Sequence, residues 1–458
     1  MKFRLTLAAT LLLGALPLKA HAQMQPWLAN RQYGEGIGVR VGDLELHPGI
    51  AGQVGYDSNY FLRAPQENPI AAYRLIITPS ISLETLGAQR RDGLSPAGPA
   101  PLQFRANAYV GYNELVAADS KYSTQVQDQR HLDAGTDLSL SLFPTGQVGA
   151  DSYFNFVRTV QPSNDTNTEN AFNRDGIRVG AGATWRPGGG LFSWRLGYEL
   201  LYNYFELAPY QDLNNYQNQI NMRGSWRFLP RTALLYEGAY TWVTYARNTV
   251  QGDGAIASSR IGLNGLITNH FALLALVGWA GTFYNGGTAV AAAPPQQFDS
   301  IIGQVELKWF LSGQQGLDVT SAPVGLSWVA LGYTRDVNNS YLGDFYQRDR
   351  GYAQLSYLLG GAFVGGLSAG IANLAFPDSP EHSAFSEQRF DASLFAEYRV
   401  SNTFGLNATV NYLDNITGVF IPPGGTAAPA AAPVAGALPG DYLAFQQWQA
   451  FLGVRWFL

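Results

Sequence analysis

The segment Ala450-Phe451-Leu452-Gly453-Val454-Arg455-Trp456-Phe457-Leu458 decides the fold. Side chains of an extended strand alternate between two faces, so Leu452, Val454 and Trp456 share one face. Arg455 lies on the other. In a soluble protein, a strand that ends on Trp-Phe-Leu would expose an aggregation-prone edge to water. In a closed membrane barrel the last strand pairs with the first and the rings face lipid, so this segment predicts a transmembrane barrel.

The beginning of the sequence has the composition of a secretory signal peptide. Lys2 and Arg4 give a positive start, and an apolar run interrupted by Gly14 and Pro17 follows. Ala20-His21-Ala22 has the small-x-small form of a cleavage site. A membrane-anchoring helix is the alternative, but the run is too short and too interrupted to span a bilayer. We therefore expect a signal peptide at 1–22, a periplasmic leader at 23–43 and a barrel at 44–458.

Composition narrows the class of protein. Only 14% of the 458 residues are charged and the net charge is −5, whereas 51 residues are Gly, 25 Tyr, 25 Phe and 10 Trp. Many rings and few charges favour strands, and the weak acidity gives no support for nucleic-acid binding. The lack of Cys excludes disulfides and thiolate metal sites. A soluble propeller would show a repeat of about 40–50 residues, and we find none in the sequence.

One segment shows most fully the alternation of apolar and polar residues that is expected of a membrane-spanning strand. From Phe192 to Tyr204 every second residue is aromatic or aliphatic, with Trp194 near one end and Tyr202 near the other. At about 3.3 Å per residue and a tilt near 40°, these two rings stand roughly 20 Å apart across the membrane. That spacing matches two aromatic girdles around an apolar band.

The alternation divides the chain into about eighteen strands, an even number as single-chain bacterial barrels require. The predicted fold is all-β, a transmembrane antiparallel up-and-down β-barrel. Tight turns alternate with longer polar loops, except that 87–100 and 312–323 are long where short turns are expected. The Ala-, Pro- and Gly-rich segment 418–440 is expected to be a flexible outer loop, or alternatively one that folds inward. The strands are predicted near 44–57, 70–86, 101–116, 129–143, 147–160, 174–187, 190–205, 214–228, 231–246, 257–267, 271–284, 297–311, 324–338, 346–359, 362–376, 387–400, 403–417 and 441–458.

A barrel of about 16–18 strands leaves an aqueous channel, and its inner wall is the candidate functional site. Inward acids and bases nearly balance, so one hypothesis is that they neutralise one another across a wet wall. The other is an arginine ladder that guides an anionic polymer, which would enter near Arg186, Arg227 and Arg399. The candidate lining residues are Arg74, Arg105, Arg178, Arg186, Arg195, Arg223, Arg227, Arg260, Arg389, Arg399, Glu199, Glu237, Glu306 and Glu397.

Catalysis finds little support in the sequence. After the signal peptide the histidines are scattered, and none stands in metal-ligand spacing. A Ser-His pairing is spatial, so the sequence leaves it open. We expect no enzyme activity, no cofactor and no metal site. The histidines are His47, His131, His270 and His382.

Two segments near the start of the barrel carry a family resemblance. Val54-Gly55-Tyr56-Asp57-Ser58-Asn59-Tyr60-Phe61, followed by Arg74-Leu75-Ile76-Ile77-Thr78-Pro79-Ser80-Ile81-Ser82-Leu83, resembles the opening of outer-membrane barrels of the "beta-barrel porin 2" type. Some members of that type belong to exopolysaccharide or capsule secretion systems. The resemblance implies an eighteen-stranded barrel that exports a polysaccharide cargo together with a periplasmic polysaccharide export protein.

The last residues also resemble the assembly signal that the barrel-insertion machinery reads. Gly453, Trp456 and the terminal hydrophobic Leu458 fit that signal. Phe451 stands where a polar residue is usual, and Leu458 stands where Phe is usual. The resemblance implies insertion into the lipid of a Gram-negative outer membrane by that machinery.

Two functions remain open at this point. The first is a channel that exports a polysaccharide, and the second is a passive diffusion porin for small solutes. A diffusion porin usually narrows its lumen with a long inward loop that carries facing acids and bases. No predicted outer loop has that charge content, which favours the export hypothesis.

Overall fold

The structure is a computed structural model, and it describes most of the strands and the shorter connections. The predicted signal peptide, the long connections 87–100 and 312–323, and His382 lie outside the described residues. The described residues are 36–86, 101–162, 171–246, 252–285, 297–311, 327–340, 344–360, 362–378, 384–416, 419–421, 428–429, 441–442 and 444–458.

Eighteen long strands form the wall, and each predicted strand is present. The largest boundary differences are four residues, at 328 against 324 and at 445 against 441. In chain order, the strands are β1 (Leu44–Asp57), β2 (Ala72–Thr85), β3 (Leu102–Ala117), β4 (His131–Leu142), β5 (Val148–Pro162), β6 (Ala171–Trp185), β7 (Phe192–Phe205), β8 (Asn215–Leu229), β9 (Thr232–Tyr245), β10 (Gly254–Leu266), β11 (Phe271–Tyr284), β12 (Asp299–Phe310), β13 (Trp328–Asn339), β14 (Phe345–Leu359), β15 (Phe363–Phe376), β16 (Phe385–Ser401), β17 (Phe404–Asn415) and β18 (Phe445–Phe457).

The sheet closes on itself between its last and first strands. β18 pairs antiparallel with β17 on one side and with β1 on the other. At the closing pair, Trp456 is opposite Ile50 and Leu452 is opposite Val54. Each remaining strand pairs antiparallel with its neighbours in sequence. The prediction of an antiparallel up-and-down barrel of eighteen strands is confirmed.

The described end of the predicted leader segment contains a short strand. Val39–Val41 is a short strand that pairs antiparallel with Leu44–Leu46 of β1. β18 pairs with β1 only from Gly49 onward, so this short strand extends the row beyond the end of β18. Residues 39–41, predicted as leader, therefore add to the barrel wall at its periplasmic end.

The outer surface has an apolar band between two sets of rings. Leu196, Ile261 and Leu452 are among its many exposed aliphatic side chains. At the periplasmic end Trp194 stacks on Tyr236 with ring centroids 5.4 Å apart. Near the extracellular ends of the strands, the stacked pair Tyr202–Tyr216 (4.5 Å) and the tilted pair Tyr412–Trp448 (4.3 Å) lie on the same outer face. This is the arrangement of a barrel that faces lipid.

Helical structure in the described residues is limited to short turns and the five-residue helix Ser123–Gln127. Among those residues, we find no helix with the length and apolar character to cross a bilayer. Much of the predicted flexible loop 418–440 lies outside the described residues. Within the connection from β17 to β18, however, Val419–Ile421 pairs with both Ala428–Pro429 and Asp441–Tyr442 in a small separate sheet.

Candidate functional site

The inner wall carries the polar and charged side chains of the barrel. Strand alternation turns these side chains away from the exposed aliphatic face. Thirteen of the predicted lining residues lie on strands at inward positions, and Arg186 lies just after β6 with Nη1 3.5 Å from the Gly146 carbonyl. Those on strands are Arg74, Arg105, Arg178, Arg195, Arg223, Arg227, Arg260, Arg389, Arg399, Glu199, Glu237, Glu306 and Glu397.

We call the inner faces of β5 to β10 the open wall. Here Arg195 donates to both carboxylate oxygens of Asp151, at 3.0 and 2.5 Å. Arg178 on β6 lies 3.0 Å from Glu199 on the neighbouring strand β7. Glu199 is two residues from Leu201, the residue directly opposite Arg178. These pairs link strands across the inside of the barrel, because its curvature brings inward side chains together. Their side chains remain partly accessible to solvent.

The open wall continues with three charged residues on neighbouring strands. Arg260 contacts Glu237 at 2.7 Å, and Arg223 approaches the same carboxylate at 3.6 Å. The Arg223 side chain is 66% exposed. Arg223 also lies directly opposite Arg195 on the next strand. Two adjacent cations, one of them mostly in solvent, form the most accessible positive feature of this wall.

We call the inner faces of β16 to β18, β1 and β2 the seam wall. At its periplasmic end Arg455 donates twice to Glu397, both at 2.5 Å, and Arg399 donates to the same carboxylate at 3.2 Å. Glu397 and Arg455 are almost completely buried. A buried ion pair needs this density of hydrogen bonds to offset the loss of hydration.

The extracellular half of the seam wall repeats this burial. Asp57 accepts from Gln447 at 2.9 Å and from Gln449 at 2.8 Å, and the Arg74 guanidinium lies 3.7 Å away. Arg74 in turn donates to Asn113 at 2.7 Å. The predicted lining residue Arg74 is therefore part of a buried network, and it offers little surface to cargo.

Two short outer loops fold against the inside of the barrel mouth. Their apolar side chains contact inward residues of β2 and β3, which buries both partners. The Asn59 side chain secures the first loop, since it donates to the Arg63 carbonyl at 2.7 Å and accepts from the Arg63 amide at 2.9 Å. We call this group the mouth cluster, and it consists of Tyr60, Phe61, Ile70, Ala72, Leu115 and Val126.

Several inward rings lie flat over glycines on the adjacent strand. Tyr153 is opposite Gly180, and a Cβ at Gly180 would collide with the tyrosine ring. The same ring donates from its hydroxyl to Glu199 at 2.5 Å. A ring held against the wall in this way leaves the lumen wider than one that stands upright. The other pairs are Tyr109–Gly135, Tyr284–Gly254, Tyr352–Gly332 and Phe451–Gly55.

Gly453, predicted as part of an assembly signal, has a packing role in the wall. A Cβ at this position would lie 2.7 Å from Cγ of Gln53 and 2.8 Å from Oδ1 of Asn407. Those two side chains bond to each other at 3.2 Å over the glycine. Trp456 lies on the outer face, and the Leu458 amide donates to the Pro48 carbonyl at 3.1 Å. Their role as an assembly signal stays a prediction.

Two acids beyond the strand ends have shifted pKa values. Hydrogen bonds from Arg158, at 2.6 and 2.9 Å, lower the pKa of Glu206. Burial raises the pKa of Asp344 to about 6. At the extracellular rim, the pKa of the acid that follows β7 is therefore lowered, whereas the pKa of the acid that precedes β14 is raised.

The histidines gave no metal-ligand spacing along the sequence, but the fold brings one of them to two carboxylates. Glu45, His47 and Glu84 each offer a ligand atom, and these atoms lie within 4.8 Å of one another. Sequence spacing missed the group because Glu84 comes from the neighbouring strand, where it pairs with Glu45. The expectation of no metal site stays a prediction, and among the described residues this group is the candidate that speaks against it.

The closed wall, the ringed apolar band outside and the polar face inside define the class of this protein. It is an integral β-barrel of the outer membrane. In a closed barrel every strand is hydrogen-bonded on both sides, so no unpaired backbone group of a strand edge faces lipid. By strand number, its lumen is wide enough for an aqueous passage.

Comparison with known proteins identifies no family for the chain. No family model and no curated protein matches the chain, so the "beta-barrel porin 2" resemblance stays a prediction. Similar solved structures include OccAB3 of Acinetobacter baumannii, at 10% identity over 91% of this chain and 100% of that chain, with a TM-score of 0.42. OpdQ of Pseudomonas aeruginosa is 10% identical over 91% of this chain and 99% of that chain, with a TM-score of 0.42. The FrpB iron transporter from Neisseria meningitidis is 7% identical over 90% of this chain and 81% of that chain, with a TM-score of 0.41. These TM-scores are too low to carry an argument.

Proposed function

We propose that the protein is a passive, weakly selective diffusion channel for small polar solutes. The observation that carries this proposal is the ion pairing of the inner wall. Arg178, Arg195 and Arg260 each contact an acid on the same wall. Paired charges present alternating local dipoles and little net field, whereas guidance of an anionic polymer requires a continuous row of accessible cations.

The mouth cluster also supports a small-solute channel. The absence of a charged inward loop favoured export when only the sequence was considered. In the structure, two outer loops pack inward through apolar contacts at the extracellular end, from which we infer a narrower opening. A narrowed mouth suits small solutes better than a hydrated polymer. Polysaccharide export with a periplasmic partner remains the competing hypothesis.

Planar-bilayer recordings across a roughly tenfold KCl gradient test the proposal. We expect an open pore without added partners, and a reversal potential near zero because acids and bases balance. Arg223→Gln should shift the permeability ratio toward cations by about a factor of two or less, since salt screens a single wall charge.

Arg130→Gln is the matched control for this charge change. Arg130 pairs with Glu114 at 2.6 Å beside the outer face, so its loss should leave the reversal potential unchanged. Equal shifts in both variants would remove the open wall as the source of selectivity. A pore that stays closed, together with loss of surface polysaccharide on gene deletion, would replace the diffusion hypothesis with export.

A further inference from the structure

Three potential metal ligands converge on the inner wall at the periplasmic end of β1 and β2. Glu45 and His47 are two residues apart on β1, so both side chains point to the same face. Glu84 lies directly opposite Glu45 on β2. His47 Nε2 is 3.7 Å from Glu45 Oε1, and Glu45 and His47 are about 95% buried.

The second nitrogen of His47 is already oriented. Its Nδ1 lies 3.0 Å from the backbone oxygen of Leu458. The Leu458 backbone oxygen can only accept, so Nδ1 carries the proton in that hydrogen bond and the lone pair of the neutral ring is on Nε2. Metal-binding histidines in proteins are commonly held in this way, because the bond fixes both tautomer and ring orientation.

The charges of the group also favour a cation. Two carboxylates that face each other on adjacent strands repel, and burial strengthens that repulsion. Arg105 lies 3.6 Å from Glu84 and offsets part of that charge.

We propose that Glu45, His47 and Glu84 bind a divalent transition-metal ion, with zinc the best fit. One imidazole and two carboxylates suit zinc and related ions better than magnesium or calcium, which prefer oxygen alone. Tetrahedral zinc ligands stand roughly 3.3 Å apart, so the separations here need only small side-chain adjustments. Three protein ligands leave a fourth position for water.

A metal ion at this site would stabilise the region where the first and last strands of the barrel meet. Gly38, just before the short strand Val39–Val41, passes so close that a Cβ would collide with the Glu45 carboxylate and the His47 ring. Leu458, which follows β18, contacts the same imidazole. A bound ion would therefore link β1 and β2 beneath the short strand and brace the contact to the residue after β18.

Isothermal titration with ZnCl₂, on detergent-solubilised protein that lacks a polyhistidine tag, tests the proposal. The wild-type chain should bind one zinc ion and unfold at a higher temperature with zinc than with EDTA. Glu84→Gln and His47→Gln should each weaken binding by about 10-fold or more. Cobalt in place of zinc should give a visible absorption band that His47→Gln loses.

His270→Gln is the matched control. His270 Nδ1 makes the same kind of contact, 3.0 Å from the Phe310 backbone oxygen, yet among the described residues no three-ligand group includes it. It should keep wild-type affinity. Heat-modifiable migration in SDS without zinc verifies that each variant is folded. No saturable binding by the wild type, or equal binding by folded His47→Gln, would overturn the site.

Discussion

The seam wall and the open wall use the same kinds of side chain in opposite ways. On the seam wall, Arg455 and Glu397 keep only 4% and 1% of their side-chain surface exposed. On the open wall, Arg223 keeps 66%. Both walls are lined by paired acids and bases, so the difference is one of burial and not of composition.

This difference in burial gives the seam wall a structural role and the open wall a functional role, although both belong to the same sheet. A buried pair stabilises closure only as a complete set, since loss of one partner leaves an unsatisfied charge. A partly exposed pair contributes little to stability, but its side chains remain accessible to solutes in the lumen. We therefore infer that the seam wall holds the barrel closed and that the open wall determines what passes.

The largest expected effect is the loss of the acid shared by two arginines on the seam wall. Glu397→Gln removes the carboxylate to which the buried Arg455 donates twice, which should destabilise the barrel by about 3–5 kcal/mol. The matched open-wall change, Asp151→Asn beside Arg195, should cost about 1 kcal/mol or less. Urea unfolding in lipid vesicles measures both. Equal losses would contradict the division into two walls.

A middle-sized effect is expected from glycines that lie beneath rings. Gly55→Val on the seam wall meets the buried Phe451 and should destabilise by about 1–3 kcal/mol through overpacking. Gly180→Val on the open wall meets Tyr153, whose ring has the lumen to move into. It should lose less stability and lower the single-channel conductance. Unfolding and bilayer recordings on both variants measure the contrast, and unchanged conductance in Gly180→Val would show that this ring does not limit flow.

The sequence predicted the wall well because alternation is a local signal. The alternation from Phe192 to Tyr204 indicates the outer face of that strand without reference to any other strand. It could not predict which charges are buried, since Arg74 and Arg223 look alike in an alternating strand. Only the fold shows that a loop covers the first and that solvent reaches the second.

Contacts between strands were beyond the sequence for a related reason. The Glu84–Glu45 and Tyr153–Gly180 pairs depend on register, and a slip of one residue would turn every side chain to the other face. The mouth cluster was missed because Tyr60 and Phe61 lie between the predicted strands 44–57 and 70–86, in a connection that the sequence indicates as one of the longer polar loops. Rings in a loop are a signal of inward packing that could have been used.

The smallest expected effect concerns an acid that belongs to neither wall. Burial raises the pKa of Asp344, at the rim before β14, to about 6, whereas the unfolded chain keeps the ordinary value of 3.8. The folded state therefore favours the protonated form, and the stability that this form provides is present below about pH 4 and lost as the pH rises through about 6. Asp344→Asn removes this dependence, because the amide stays neutral. The variant should unfold at a slightly higher temperature than the wild type at pH 7.5 and at the same temperature near pH 4. A wild-type advantage at pH 7.5 would mean that the charged carboxylate is held by a partner, as the acids of the two walls are, and that the rim obeys the same rule as the wall.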